Sequence, residues 1–172
     1  HTHSGDGRRE AVTPAVDTGF LVFNDRAYPH LVKLFAELGV PSVASEMSFS
    51  VRDDGSGLEW AGTNLATLFA RPANALSPAF WSMLADILRF NRETTAALAA
   101  GTLPETTLGA FLDARRYRQP FRDSYLVPMA AAIWSCPMDT MLAYPVTTFV
   151  RFCHNHGLLQ VNQRPQWYTV KG

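Results

Sequence analysis

The stretch over residues 121–159, FRDSYLVPMAAAIWSCPMDTMLAYPVTTFVRFCHNHGLL, limits the possible folds most severely. It sets Trp134, Met129, Met138, Met141, Tyr125, Tyr144, Phe149 and Phe152 among small alanines. Side chains of this bulk must leave water if burial is to offset the entropy of ordering the chain. Prolines divide the stretch. Pro128 removes one backbone bond from a helix over 121–135 and should kink it beside Met129, and Pro137 ends that helix. Asp139 is placed to cap the next helix, and Tyr144-Pro145 interrupts again. Val146, Phe149, Val150 and Cys153 then form one apolar face that runs to a Gly157 cap.

The remainder supplies elements to pack against this core. Residues 1–9, HTHSGDGRR, read as a polar loop leading into a strand over 11–16. In the DTGFLVFN segment, residues 17–24, Gly19 admits a positive φ, and backbone can approach a ligand there or form a kinked buried strand. From Tyr28 the period becomes 3.6: Leu31, Leu34, Phe35 and Leu38 share a face, with Pro29 in the first turn and Gly39 at the C-terminal cap. Asn24 or Asp25 could cap the start of that helix, which competes with a ligand role for Asn24. Met47, Phe49 and Val51 alternate with serines, Asp53 to Gly57 form a turn, and Leu58 and Trp60 resume the alternation, which predicts a hairpin. Its apolar face must meet helices or a ligand cavity, so Trp60 is either core or pocket wall. A short helix is expected near Asn64 to Phe69. Ser77-Pro78 opens a long helix with Phe80, Trp81, Leu84, Ile87, Leu88 and Leu98 on one side and Gly101 at its end, and Leu108, Phe111 and Leu112 mark another.

The fold expected is one α+β domain over residues 1–172, mostly helical and packed on a small antiparallel sheet, able to bury roughly 70% of its extended surface. An apolar content of 47% with four tryptophans and eleven phenylalanines excludes disorder. Fifteen basic residues balance fifteen acidic ones, so no field draws nucleic acid or an anionic membrane. Arg115, Arg116, Arg118 and Arg122 form the local basic cluster, either a solvated helix end or an anion contact. Two cysteines make no disulfide framework, which points to free thiols and a cytoplasmic location. No apolar run is long enough for a membrane span, and no export signal opens the chain.

Cys153, His154 and His156 invite a metal or cysteine-nucleophile reading, but neither the zinc ligand number nor an oriented base is complete. His1 and His3 make a poor ligand pair by themselves, so no metal is expected. Gly55 and Gly57 sit in a hairpin turn and cannot cradle phosphate at a helix start. What remains is an aromatic inventory without a proton-transfer pair, suited to a domain that shapes a pocket while a cofactor carries the chemistry.

The segments HTH at 1–3, VDTGFLVFN at 16–24, YPHLVKLFAELGV at 28–40, LEWAGTN at 58–64, DILRFNR at 86–92, LVPMAAAIWSCPMDTMLAYP at 126–145, RFCHNHGLLQV and RPQWYTVKG resemble the flavin-containing amine oxidase family, in particular a bacterial branch of NAD/FAD-binding oxidoreductases. The likeness runs almost end to end. It implies the substrate-binding (cap) domain of an FAD-dependent enzyme whose dinucleotide-binding Rossmann segments lie outside the chain. The start at His1 without methionine and the stop at Gly172 directly after an aromatic strand read the same way. By resemblance Asp17, Thr18, Gly19 and Phe20 approach the flavin ring with Asn24 nearby. Trp60, Met129, Trp134, Ser135, Cys136, Trp167 and Tyr168 are the candidate pocket lining, and no catalytic acid or base stands out. The implied reaction is hydride transfer from an apolar substrate or an amine to FAD. The isolated chain is expected to be inactive, to retain little FAD and to self-associate through the surface that the flavin domain would cover. The alternative is a non-enzymatic module that holds a lipid or a partner helix.

Overall fold

A computed structural model describes residues 22–46, 50–53, 57–61, 72–160 and 165–171. The class is α+β, mostly helical with small antiparallel sheets. Helix α1 (Pro29–Leu38) starts on proline, whose missing N–H costs nothing in a first turn, and closes on Gly39 at φ 66°, where the Val40 N–H reaches the Phe35 carbonyl at 2.9 Å. Tyr28 occupies the N-cap, and its side chain makes no capping bond to the helix. Asn24 instead caps the preceding turn, its Oδ1 accepting from the Ala27 N–H at 2.7 Å. Phe35 meets the edge of the Phe23 ring at 5.2 Å, whereas Leu34 and Leu38 are 47% and 67% exposed. The apolar stripe of α1 is therefore only partly covered.

Strand β1 (Ser42–Ser45) was not legible in its short Ser-Val-Ala-Ser pattern. It pairs antiparallel with the C-terminal strand β4 (Trp167–Val170), Ala44 opposite Tyr168. Phe23 borders the other edge of β4, exchanging two bonds with Tyr168: Phe23 N–H to Tyr168 O at 2.9 Å and Tyr168 N–H to Phe23 O at 2.7 Å. Strands β2 (Ser50–Asp53) and β3 (Leu58–Ala61) form the expected hairpin, with Val51 opposite Trp60. They make a second two-stranded sheet rather than joining the first. The expected strand over 11–16, the helix near 64–69 and the residues Met47 and Phe49 lie outside the described residues.

Helix α2 (Pro78–Ala99) is capped by Ser77, whose Oγ accepts from the Phe80 N–H at 3.3 Å. Its buried side carries Phe80, Met83, Asp86, Phe90 and Thr94, while Trp81 and Leu88, expected on that side, are exposed. The face is turned because Met83 and Phe90 complete the 3.6 period begun at Phe80. Helix α3 (Leu108–Ala114) takes its cap from Thr107. Next come an α-turn at Gln119–Phe121, a π-helical turn at Arg122–Leu126 and helix α4 (Val127–Trp134).

The π turn is how the chain accommodates Pro128. Four residues before this proline is Ser124, whose carbonyl would ordinarily receive the missing N–H. It accepts the Trp60 indole N–H at 2.9 Å. Ser135, at φ 49° and ψ 45°, then ends α4 in the left-handed region and lets the Cys136 N–H reach the Ala131 carbonyl at 3.1 Å.

Helix α5 (Met138–Leu142) has Pro137 at its N-cap, and Asp139 lies inside the first turn rather than at the cap, where its charge complements the helix dipole. Helix α6 (Val146–Asn155) buries Val146, Phe149, Val150 and Cys153, the face expected from the spacing. The starts of α3 and α6 are tied to each other: the Leu108 N–H donates to Tyr144 O at 2.8 Å and the Val146 N–H to Thr106 O at 3.0 Å. Phe90 stands at the centre of the core, its ring within 6.4 Å of Phe111, Tyr117, Phe121 and Phe149. A smaller cluster joins Trp60, Phe80 and Met83. No helix among the described residues is long and apolar enough to cross a membrane.

Candidate functional site

Of the residues assigned to a flavin contact, Asp17, Thr18, Gly19 and Phe20 lie outside the described residues, and Asn24 is within them. Asn24 is completely buried. Its side-chain oxygen is held by Ala27 and its main-chain oxygen accepts from the Tyr28 N–H at 3.1 Å, but among the described residues its Nδ2 has no partner. A buried amide donor left unmatched costs about 1 to 3 kcal/mol.

The candidate pocket residues fall into three places. Trp167 and Tyr168 alternate across β4: Tyr168 leans on Phe23 at 6.0 Å, and Trp167 lies nearly parallel to His156, interplanar angle 9°, at 6.5 Å. Trp134 packs against Phe152 at 4.4 Å, Tyr144 at 5.6 Å and Phe149 at 5.7 Å. Phe152 stacks on His156 at 3.9 Å, so a line of rings runs from Trp134 through Phe152 and His156 to Trp167. Met129 and Cys136 flank the main core partly buried, and Ser135 is exposed at the end of α4. Trp60 belongs to the other cluster, buried against Phe80 and Met83 with Tyr125 at 5.3 Å, which is the core position weighed for it from sequence.

His156 is the residue that sequence reasoning undervalued. Phe152 and His156 are four apart across the end of α6, a spacing that stacks their rings and was legible. The His156 Nδ1 lies 2.9 Å from the Phe152 carbonyl and Nε2 lies 3.1 Å from the Tyr28 hydroxyl. A carbonyl only accepts, so Nδ1 carries a hydrogen, and in the neutral ring Nε2 accepts from Tyr28. Next to this pair opens a cleft of about 640 Å³, lined by Arg26, Tyr28, His30, Phe152, His154 and His156 among others.

Among the described residues no group of three His, Cys, Asp or Glu side chains is placed to hold a metal, and His1 and His3 lie outside them. Three of the four clustered arginines are engaged in structure. Arg118 binds Asp86, Arg122 pairs with Asp113, and Arg115 lies over the Phe111 ring at 5.8 Å.

No family model and no curated protein matches this chain.

Both cysteines are free. Cys153 is fully buried, and desolvation pushes its thiol up to about 12, whereas Cys136 is partly accessible. Because the thiolate is the reactive form, iodoacetamide near pH 8 should label Cys136 in the folded chain and reach Cys153 only after denaturation. Mass spectrometry of the two peptides reads this out, and equal labelling rates would contradict the burial.

Proposed function

We infer that this chain forms the substrate-side domain of an FAD-dependent oxidoreductase of amine-oxidase type, working in the cytoplasm on an apolar substrate or an amine. The observation that carries the reading is Asn24. It ends the DTGFLVFN segment that the family resemblance sets beside the flavin, and its buried amide lacks an acceptor among the described residues. An isoalloxazine ring presents carbonyl and ring-nitrogen acceptors of the kind that would satisfy it, so the residue present fits the cofactor's ring. FAD, when bound, supplies the hydride acceptor. Asn24 would hold the ring edge through its Nδ2, with Asp17, Thr18, Gly19 and Phe20 alongside it by resemblance. The ring line from Trp134 to Trp167, with Tyr168 beside it, excludes water and favours an uncharged substrate face. Met129, Ser135 and Cys136, in and just after α4, remain candidates for the wall, whereas Trp60 is part of the core.

A second reading, a module that docks a lipid or a partner helix, is favoured by the uncovered Leu34 and Leu38, one turn apart on α1. On the flavoprotein reading the same stripe packs against the remainder of the parent protein, or against a second copy when that is absent. Titration of FAD into the complete gene product and into this chain, followed by flavin fluorescence, separates the two. Saturable binding by the complete product and weak binding by the chain are expected, because the ring contact alone must overcome about 4 kcal/mol or more of immobilisation cost. Micromolar saturation by the chain alone would show that the cofactor site is misplaced, and no binding by either would favour the docking module.

A further inference from the structure

We propose that the outward face of α2 pairs with the same face of a second copy of this chain, the two helices running antiparallel about a twofold axis level with residue 90. Phe80, Met83, Asp86, Phe90 and Thr94 turn one side of α2 into the core. On the opposite side Trp81, Ala85, Leu88, Arg92, Thr95 and Ala99 are all exposed, Trp81 at 51% and Leu88 at 58%. Their spacing alternates between four and three residues, the repeat that keeps one seam of a helix turned toward a partner helix over several turns. Trp81 is fixed at the head of this seam, its indole N–H donating to the Ala75 carbonyl at 2.8 Å. A large ring held in place while half its surface meets water is the kind of side chain that anchors an interface.

The order of sizes along the seam selects both the occupant and its direction. In the antiparallel register Trp81 lies opposite Ala99 of the second copy, Ala85 opposite Thr95 and Leu88 opposite Arg92, so the bulkiest side chain meets one of the smallest. The Arg92 stem covers the facing leucine while its guanidinium stays in water. A parallel pair sets Trp81 against Trp81, Ala99 against Ala99 and Arg92 against Arg92, which mismatches volume and brings like charges together. The face is thus its own complement when reversed, as a twofold interface requires. Its extent sets the strength. A helix of this length spans about 33 Å, and a contact strip roughly 10 to 12 Å wide buries on the order of 700 to 800 Å² over both copies. That is below the roughly 1,600 Å² of a standard interface, so the dimer is weak and reversible, half dissociated at roughly 100 μM.

Sedimentation equilibrium from about 10 μM to about 1 mM tests this in the chain carrying Leu38→Glu, which removes the α1 stripe as a competing surface. A monomer–dimer equilibrium is expected, and Trp81→Glu should weaken it by at least about tenfold. Leu88→Lys, which sets a second cation against Arg92, should do the same, and circular dichroism confirms that each variant keeps its helices. With Cys136→Ser added, a mixture of Ala85→Cys and Thr95→Cys chains should form a mixed disulfide under mild oxidation. Ala85→Cys alone should not bridge to itself, because the antiparallel register puts its two copies about 15 Å apart along the axis. The complete gene product should show the same association with the same sensitivity to Trp81→Glu. A chain that stays monomeric, or a dimer indifferent to both folded variants, would overturn the proposal. So would an Ala85→Cys chain that bridges readily to itself, the mark of parallel pairing, or a complete product that does not associate. A monomer that instead sediments with phosphatidylcholine vesicles would give the face to lipid and overturn it likewise.

Discussion

Phe90→Ala should lower the unfolding free energy by about 3 to 5 kcal/mol, with a fall in melting temperature of roughly 10 °C. Phe90 is 1% exposed, and its ring lies edge-on to Phe111, Tyr117 and Phe149 and tilted against Phe121. It is where α2, α3, the turn before α4 and α6 meet, so no single neighbour can move into the vacated space without leaving another ring. Part of the loss comes from unburied apolar area and the rest from the cavity left behind. Phe90→Leu refills some of that volume and should cost clearly less. Urea unfolding reads both variants, and the midpoint should shift with little change in slope. A loss below about 1 kcal/mol for the alanine variant would show that this ring is not the centre of the core.

The next largest effect is expected at an ion pair. Asp86 is 0% exposed and accepts three bonds from Arg118: the main-chain N–H at 3.0 Å, Nε at 2.9 Å and Nη2 at 3.1 Å. Arg89 adds a charge at 3.6 Å. Burial taken alone would raise the Asp86 carboxyl, but the Arg118 side-chain and backbone hydrogen bonds, with the charges of Arg118 and Arg89, outweigh it and hold the group below the ordinary carboxylate range. Arg118→Met leaves a buried carboxylate short of its main partner and should cost about 3 kcal/mol. That is the lower end of the range, because the Arg118 side chain is 51% exposed and water can take part of its place.

The pH dependence comes from the direction of the shift. A carboxyl depressed on folding stabilises the native state above its unfolded pKa, about 3.9, and that stability is lost as pH falls through the folded value. In Arg118→Met the side-chain hydrogen bonds and the charge of Arg118 are gone while the desolvation remains, so the penalty is present near neutrality and fades once the carboxyl is protonated. The stability gap between the two proteins should therefore be widest near neutral pH and should narrow below about pH 4. A gap independent of pH would mean that Arg118 acts through packing and not through its charge.

What could be read from sequence was set by local rules. Pro29 and Gly39 bracket α1, Ser77-Pro78 opens α2, and Val146, Phe149, Val150 and Cys153 recur on α6, each through a signal carried within a few residues. Long-range pairing left no such mark. Ser42–Ser45 carries little strand character and gains its place by meeting Trp167–Val170 at the far end of the chain. The π turn before Pro128 likewise depends on a partner from elsewhere, since the Trp60 indole reaches Ser124 from a separate hairpin. Asp86 was missed because it reads as a polar residue beside an apolar face, and only the distant Arg118 makes its burial tolerable. In the candidate site, Trp134, Trp167 and Tyr168 were named from sequence, by residue type, as separate pocket-lining candidates. The pairing of His156 with Tyr28 was not, because it joins opposite ends of the chain.

The absorbance spectrum of the complete gene product tests the central claim most directly. Purified, or after incubation with FAD and gel filtration, it should show the oxidised flavin bands, and these should bleach under anaerobic conditions when an apolar or amine substrate donates hydride. Asn24→Leu in the same protein should alter the flavin spectrum or weaken FAD retention, because the buried donor assigned to the ring is gone. A complete product that stays colourless after FAD is added, or a flavin spectrum indifferent to Asn24→Leu, would contradict the account.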